Sequence, residues 1–123
     1  AIGIVGNVEN IGLEKLGIKV DRTHISVNQW CETNVKNIYA IGDITNTPAL
    51  AHVASKEGEM AVEHMAGLKP HAMKVDANSV PSAIYCEPQV AGFGLREDKA
   101  ISEGIKIKKS VFNYAGAGKT IAV

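Results

Sequence analysis

The sequence predicts an α/β fold in its first half, followed by the start of a smaller α+β unit. Three features support this: a uniformly apolar tetrapeptide at residues 38–41, a helical apolar pattern over residues 49–66, and a strand–helix–strand order after Pro81. A strand that is apolar on both faces is typical of a buried parallel sheet, and a separate strand–helix–strand run indicates a second unit. We expect the two units to meet in the polar segment 68–78.

The composition excludes several classes of function. The 123 residues include 46% hydrophobic and 21% charged residues, and 13 basic residues balance 13 acidic ones. A net charge of zero provides no attraction for nucleic acid or an anionic membrane, and no apolar run approaches the roughly 20 residues that span a bilayer. We therefore expect neither partner. The chain begins abruptly in an apolar run without Met, as an internal piece of a longer protein would.

The cysteines and histidines show no metal-ligand or redox spacing. Cys31 and Cys86 are far apart and form no C-x-x-C motif. Two buried reduced thiols are favoured, although a structural disulfide remains an alternative. The four histidines are scattered, so no metal site is predicted.

The first unit contains four predicted elements in order. One helical turn is expected within residues 9–13, and a hairpin or two short strands over residues 18–27 around Asp21-Arg22-Thr23. Residues 38–41 form the strongest predicted strand. The helix at 49–66 has Thr47 as its N-cap, Pro48 as its first helical residue and Gly67 as its C-cap.

The second unit begins at Val80-Pro81 and is expected to contain short strands and one helix. Strands are predicted at residues 83–86, 89–94 and 105–114, with a short helix at 97–103.

The end of the strand at 38–41 is a candidate ligand site. Ligands of open α/β sheets bind beyond the carboxyl ends of strands, where Gly42 permits close backbone approach and the Asp43 carboxylate can accept hydrogen bonds from sugar hydroxyls. The following helix offers free N–H groups and a positive dipole end. These features suit a ligand with a polyol chain and an electron-rich ring. The alternative is a plain turn in which Asp43 caps its own backbone.

Two segments resemble one family of flavoenzymes. Residues 33–43 resemble the T-x-x-x-x-I-Y-A-I-G-D segment of the pyridine nucleotide–disulfide oxidoreductases, and residues 48–58 resemble P-M-L-A-H-x-A-x-x-E-G of its dihydrolipoamide dehydrogenase branch. The resemblance implies that Asp43, after Gly42, bonds the ribityl chain of FAD. It also implies that the flavin pyrimidine edge faces backbone groups of Ala49, Leu50, Ala51 and His52. An imidazole role for His52 as a proton carrier is the less favoured alternative.

The flanking segments extend the resemblance over nearly the whole chain. Residues 2–13 are similar to V-G-R-x-P-N-T-x-x-L-G-L and differ at Ile4 and Gly6; by this match Gly3 lies near bound NAD. Residues 80–91 resemble V-P-S-x-x-Y-T-x-P-E-V-A, which opens the family's dimer-interface domain. The implied domains are the end of an NAD-binding domain (1–6), the carboxy-terminal part of an FAD-binding domain (7–73) and the start of an interface domain (78–123).

The resemblance implies a flavoprotein that oxidises protein-bound dihydrolipoyl groups and reduces NAD through a redox disulfide and FAD. Such an enzyme is a homodimer, serves the lipoyl domains of 2-oxo acid dehydrogenase complexes, and occurs in the bacterial cytoplasm or mitochondrial matrix. This chain has no C-x-x-x-x-C and no G-x-G-x-x-G after a strand, so no catalytic residue is predicted in it. The alternatives are an inactive assembly module, or another family member such as a mercuric or glutathione reductase.

Overall fold

The computed structural model describes residues 2–69 and 75–118. The middle of the predicted inter-unit segment and the last five residues of the predicted interface domain lie outside the described residues. Within them, no helix is long and apolar enough to cross a membrane.

The described chain contains three α-helices and two antiparallel hairpins. They follow in the order α1 (Leu13–Leu16), β1 (Val20–Asp21), β2 (His24–Ile25), α2 (Ala51–Met65), β3 (Ser82–Ile84), β4 (Val90–Gly92) and α3 (Glu97–Ser102), with 3-10 helices at Gly42–Ile44, Ala77–Ser79 and Tyr114–Gly116. This mixture of helices and strands agrees with the predicted α/β class.

The first hairpin confirms the prediction for residues 18–27. Val20 pairs with Ile25 and Asp21 with His24, and Arg22 takes a left-handed conformation (φ 58°) in the turn. Ile25 is buried and joins a core cluster of five residues from the first 40 positions: Val8, Leu13, Ile18, Ile25 and Ala40. The helical turn expected within residues 9–13 lies later, at α1, which contributes Leu13 to this core.

The strand predicted at residues 38–41 is not formed. Tyr39 makes an isolated antiparallel bridge with Glu32, and Ala40 donates its N–H to the Cys31 carbonyl at 3.0 Å. Ile41 is 41% exposed, contrary to the predicted burial on both faces. A parallel strand needs hydrogen-bonded neighbours, and within the described residues this segment pairs only with the turn before it.

Helix α2 confirms the long predicted helix but begins later than expected. Its N-cap is Leu50, whose carbonyl accepts the N–H groups of Val53 at 3.0 Å and Ala54 at 3.1 Å. Thr47 lies three residues before this N-cap, and its hydroxyl bonds the Thr45 hydroxyl at 2.9 Å. The predicted cap and first helical residue, Thr47 and Pro48, were therefore wrong.

The carboxyl end of α2 agrees with the prediction. Gly67 follows the C-cap residue with φ 72°, and the Leu68 N–H returns to the Glu63 carbonyl at 2.9 Å. A left-handed glycine directly after the last turn is a common helix terminator.

The second unit forms a hairpin and a helix in which almost every residue is exposed. Strands β3 and β4 pair Ala83 with Ala91, and α3 matches the predicted helix at 97–103 within a residue. The strand predicted at 105–114 is not formed: the Ile105 N–H bonds back to the Ala100 carbonyl at 2.9 Å, and the described residues provide no strand beside it. Among residues 75–118 with a described side chain, Ala100 alone is buried.

Candidate functional site

The site begins at a glycine whose peptide groups are held from two sides. The Gly42 N–H donates to Glu57 Oε2 at 2.7 Å. Its carbonyl accepts the Thr45 N–H at 2.9 Å and the Thr45 hydroxyl at 2.8 Å. Gly42 has φ 73°, and an added Cβ would lie 3.2 Å from the Ala54 Cβ on α2. A residue with a side chain would therefore be strained by its backbone and crowded by Ala54 at this position.

Asp43 extends from this turn toward solvent. Its side chain is exposed, whereas Gly42 in the same 3-10 turn and Thr45, the C-cap residue of the turn, are buried. An exposed carboxylate on a rigid backbone is available to accept hydrogen bonds from a hydroxylated ligand. The interpretation of Asp43 as a self-capping turn residue receives no support, because no hydrogen bond to its carboxylate occurs among the described residues.

The amino end of α2 supplies unpaired donors. Among the described residues, the N–H groups of Ala51 and His52 have no backbone acceptor, as expected for the first turn of a helix. Ala49 and Leu50 precede the helix, and Leu50 has extended backbone, so their part of the predicted site is a loop rather than a helical turn. The 3-10 turn carrying Asp43 packs directly on this helix.

The His52 side chain points away from this turn, toward the second unit. Its Nε2 lies 3.0 Å from the Pro81 carbonyl oxygen. The imidazole therefore links α2 to the start of β3, while the His52 backbone N–H has no acceptor in the part of the chain that the structure describes. This arrangement favours the backbone role over the proton-carrier role. An open groove of about 760 Å³ runs beside it, lined by Leu50, Ala51, His52, Tyr85 and Phe93 among others.

Gly3 is not brought to the site by any contact of the described chain. It has φ 117° and is exposed, and no atom lies within 4 Å of the position a Cβ would take. Gly6 is the close-packed glycine of this segment, since a Cβ there would collide with the Thr23 carbonyl oxygen.

The residue that sequence analysis did not assign is Glu57. It is the glutamate of the E-G pair in the segment 48–58, it is 2% exposed, and its carboxylate accepts the Gly42 N–H. A signal was available: Glu57 lies four residues after Val53 and three before Met60, on the apolar stripe of the helix. A charged residue at a core-facing position is unusual enough to mark a special role.

Glu57 also affects the pKa of the Cys31 thiol. Burial raises the pKa of Cys31 to about 11, and the negative charge of Glu57 adds to the rise. Cys31 is 5% exposed, whereas Cys86 is exposed, and both thiols are free. The expectation of two buried thiols was therefore wrong for Cys86, whose Sγ contacts the Pro88 carbonyl oxygen at 3.1 Å at the hairpin surface.

Comparison with known proteins identifies the family whose sequences match the segment that contains this turn and the start of α2. The pyridine nucleotide-disulphide oxidoreductase family model matches residues 1–58, a span that includes Gly42, Asp43 and the amino end of α2. The chain is 47% identical over 122 residues to the dihydrolipoyl dehydrogenase of Zymomonas mobilis, with 99% of this chain aligned. This chain belongs to the pyridine nucleotide–disulphide oxidoreductases.

Other members of the family show the same similarity. The dihydrolipoyl dehydrogenase of Rhizobium etli is 47% identical over 123 residues, and the mitochondrial dihydrolipoyl dehydrogenase of Bos taurus is 47% identical over 108 residues, or 87% of this chain. The crystal structure of LpdA from Mycobacterium tuberculosis superposes on 84% of this chain with a TM-score of 0.73 at 28% identity. The α/β class is therefore confirmed.

The chain is short compared with these family members. It spans about a quarter of the length of the curated relatives, 26% of the Zymomonas mobilis protein and 25% of the Rhizobium etli protein. It covers 22% of the LpdA chain.

Proposed function

We propose that this chain provides part of the FAD site of a dihydrolipoyl dehydrogenase. The observation that carries the proposal is the exposed Asp43 carboxylate on the buried Gly42 turn. This turn lies directly against α2, whose first N–H groups have no acceptor within residues 2–69 and 75–118. The relatives at 47% identity are named dihydrolipoyl dehydrogenases, which supports this branch over a mercuric or glutathione reductase.

The described residues fit a flavin dinucleotide in two places. Asp43 would accept hydrogen bonds from the ribityl hydroxyls. The N–H groups of Ala51 and His52, at the positive end of the α2 dipole, would face the electron-rich pyrimidine edge of the ring, next to the loop residues Ala49 and Leu50. When bound, FAD passes electrons between the redox disulfide and NAD. The contribution of this chain is to hold and orient FAD; a contact between Gly3 and NAD remains a prediction.

The proposed activity is the oxidation of protein-bound dihydrolipoyl groups with reduction of NAD. The proposed partners are the lipoyl domains of 2-oxo acid dehydrogenase complexes and a second copy of the protein. The proposed location is the bacterial cytoplasm or the mitochondrial matrix, because the relatives include bacterial and mitochondrial proteins. The domain limits 1–6, 7–73 and 78–123 belong to the same proposal.

The visible absorption spectrum and the intact mass of the purified protein separate this proposal from an inactive assembly module. Flavin bands at a mass of 13.0 kDa would mean that the 123 residues hold FAD unaided. A flavin-free protein of that mass would favour the assembly module. A larger, flavin-bearing protein would be assayed for NAD reduction by dihydrolipoamide, and inactivity there would contradict the proposed reaction.

The site itself is tested by Asp43→Ala. Loss of hydrogen bonds to a charged acceptor should raise the Kd for FAD by roughly ten- to a hundredfold, measured as flavin retained after dialysis and by fluorescence titration. Asp98→Ala is the matched control, because Asp98 is an exposed aspartate that pairs with Arg96 on the surface. Equal flavin retention by Asp43→Ala and wild type would remove Asp43 from the site.

A further inference from the structure

Glu57 occupies an unusual position for a carboxylate. It is 2% exposed, on the same helix face as Val53 (2%) and Met60 (1%). Burying a charged group is costly unless the group is hydrogen-bonded or paired. Among the described residues no Lys or Arg pairs with Glu57. Its bond is to the Gly42 N–H at 2.7 Å, within the range of a charge-assisted hydrogen bond.

Thr45 holds the other side of the same residue. It is 1% exposed, and both its N–H and its hydroxyl donate to the Gly42 carbonyl. Gly42 is therefore fixed at its N–H by Glu57 and at its carbonyl by Thr45. Asp43 shares a peptide bond with Gly42, so this clamp sets the direction in which the Asp43 carboxylate leaves the turn.

Glu57 also belongs to the helix that forms the other half of the proposed site. It lies six residues after Ala51, fewer than two helical turns. The bond from Glu57 to Gly42 thus joins the Asp43 turn to the free N–H groups of Ala51 and His52. Two subsites joined in this way keep a fixed separation. Binding of a long ligand that contacts both subsites then has a smaller entropic cost, because the protein does not have to be ordered on binding.

We infer that Glu57 is a positioning residue for FAD, which acts through the Gly42 peptide to aim Asp43 and to fix it relative to the amino end of α2. The inference rests on the proposed function, because it assumes that Asp43 contacts the ribityl chain. It assigns Glu57 no contact with the flavin, so its effect on FAD binding depends on Asp43.

A double-mutant cycle tests this dependence. The flavin is removed from each purified full-length variant, and the resulting apoprotein is titrated with FAD. Glu57→Ala should raise the Kd about tenfold when Asp43 is present, and by less than about threefold in the Asp43→Ala background. Glu57→Gln keeps an oxygen acceptor and should stay within about threefold of wild type. Glu59→Ala is the control, since Glu59 lies on the same helix but is exposed and pairs with Lys56 at 2.7 Å; its Kd should not change.

The outcomes separate the inference from the proposed function. If Asp43→Ala leaves the Kd unchanged, the proposed FAD contact fails and the inference fails with it. If Asp43→Ala weakens binding but the Glu57→Ala effect is the same in both backgrounds, the inference alone is overturned, because Glu57 would then act on the fold in general. Should Glu57→Ala not fold, Thr45→Val gives the same test from the carbonyl side: a coupled rise in Kd supports the inference and an additive one overturns it.

Discussion

Cys31 shows how strongly this small core affects a single ionisable group. The residue has a left-handed backbone (φ 63°), is 5% exposed and accepts the Ala40 N–H at its carbonyl. Burial and the charge of Glu57 raise the pKa of its thiol from 9.0 to about 11. A thiol with so high a pKa is protonated at neutral pH, which makes it a poor nucleophile. Cys31 is therefore a structural residue rather than a redox partner.

The raised pKa of Cys31 has a consequence for stability in alkali. A group whose pKa is higher in the folded state stabilises that state fully below its unfolded pKa and loses the contribution as the pH rises to the folded pKa. For Cys31 this window runs from pH 9.0 to about 11, and the loss is about 2–3 kcal/mol for a two-unit difference. Urea unfolding between pH 8 and 11 should show a smaller decline for Cys31→Ala than for wild type.

Cys86→Ala is the control for that measurement, because Cys86 is exposed. Its stability should decline with pH as the wild type does. A Cys31→Ala protein with the same pH slope as wild type would contradict the assignment of the alkaline loss to Cys31.

At the scale of elements, the close packing of the 3-10 turn against α2 requires a residue without a side chain at position 42. Gly42→Ala would add left-handed strain of about 1–2 kcal/mol and also press a Cβ against Ala54, 3.2 Å away. Gly17→Ala is a matched control, since Gly17 has φ 67° but open space around its Cβ position. In urea unfolding we expect Gly42→Ala to lose more free energy of unfolding than Gly17→Ala.

The additional loss of free energy of unfolding in Gly42→Ala should become smaller when the atom that contacts the new methyl group is removed. A glycine substitution alone in a helix lowers the free energy of unfolding by about 1 kcal/mol. In the Gly42→Ala background, Ala54→Gly also removes the contacting Cβ, so it should lower the free energy of unfolding by less than this amount. Equal losses for Gly42→Ala and Gly17→Ala would show that the contact with Ala54 is unimportant.

Local patterns predicted the elements that depend on local interactions. The β1–β2 turn, the body of α2 with Gly67 at its end, and α3 all follow from near neighbours in sequence. The segments 38–41 and 105–114 have strand-like composition, but strand formation depends on distant partners, which composition does not reveal. The start of α2 was misplaced because the Thr47 hydroxyl bonds the Thr45 hydroxyl two residues away, a local alternative to capping that the Thr47-Pro48 pair does not reveal.

The candidate site was predicted in the same uneven way. The turn at Gly42 and Asp43 before a long helix was predicted from the local pattern, although the strand expected before the turn is not formed. Donors were predicted at the start of a helix at 49–52, and among the described residues they are the N–H groups of Ala51 and His52. Glu57 was missed because a charged residue in an amphipathic helix is normally expected on the solvent side. Its burial depends on the position of Gly42, which is fixed by tertiary packing.

At the scale of the whole molecule, the two halves differ in how much apolar surface they bury. The first half has a core, whereas several large apolar side chains of the second half are exposed, including Tyr85 (90%), Phe93 (73%) and Phe112 (76%). Apolar side chains clustered on a surface favour contact with another protein surface. The β3–β4 hairpin, which lies in the segment resembling an interface domain, is the part of this surface that we propose to face a second copy.

Replacing Tyr85 and Phe93 tests this proposal. The double variant Tyr85→Ser, Phe93→Ser should weaken self-association at least about tenfold, because buried aromatic side chains contribute most of the energy at protein interfaces. The Kd of the dimer would be measured by sedimentation velocity over a concentration series. The control, Ile11→Ser with Leu16→Ser, removes two side chains of the first half that are 60% and 57% exposed, and should leave the Kd unchanged. An equal effect of both pairs would indicate nonspecific adhesion, and a wild-type protein that stays monomeric throughout would exclude this hairpin as a dimer surface.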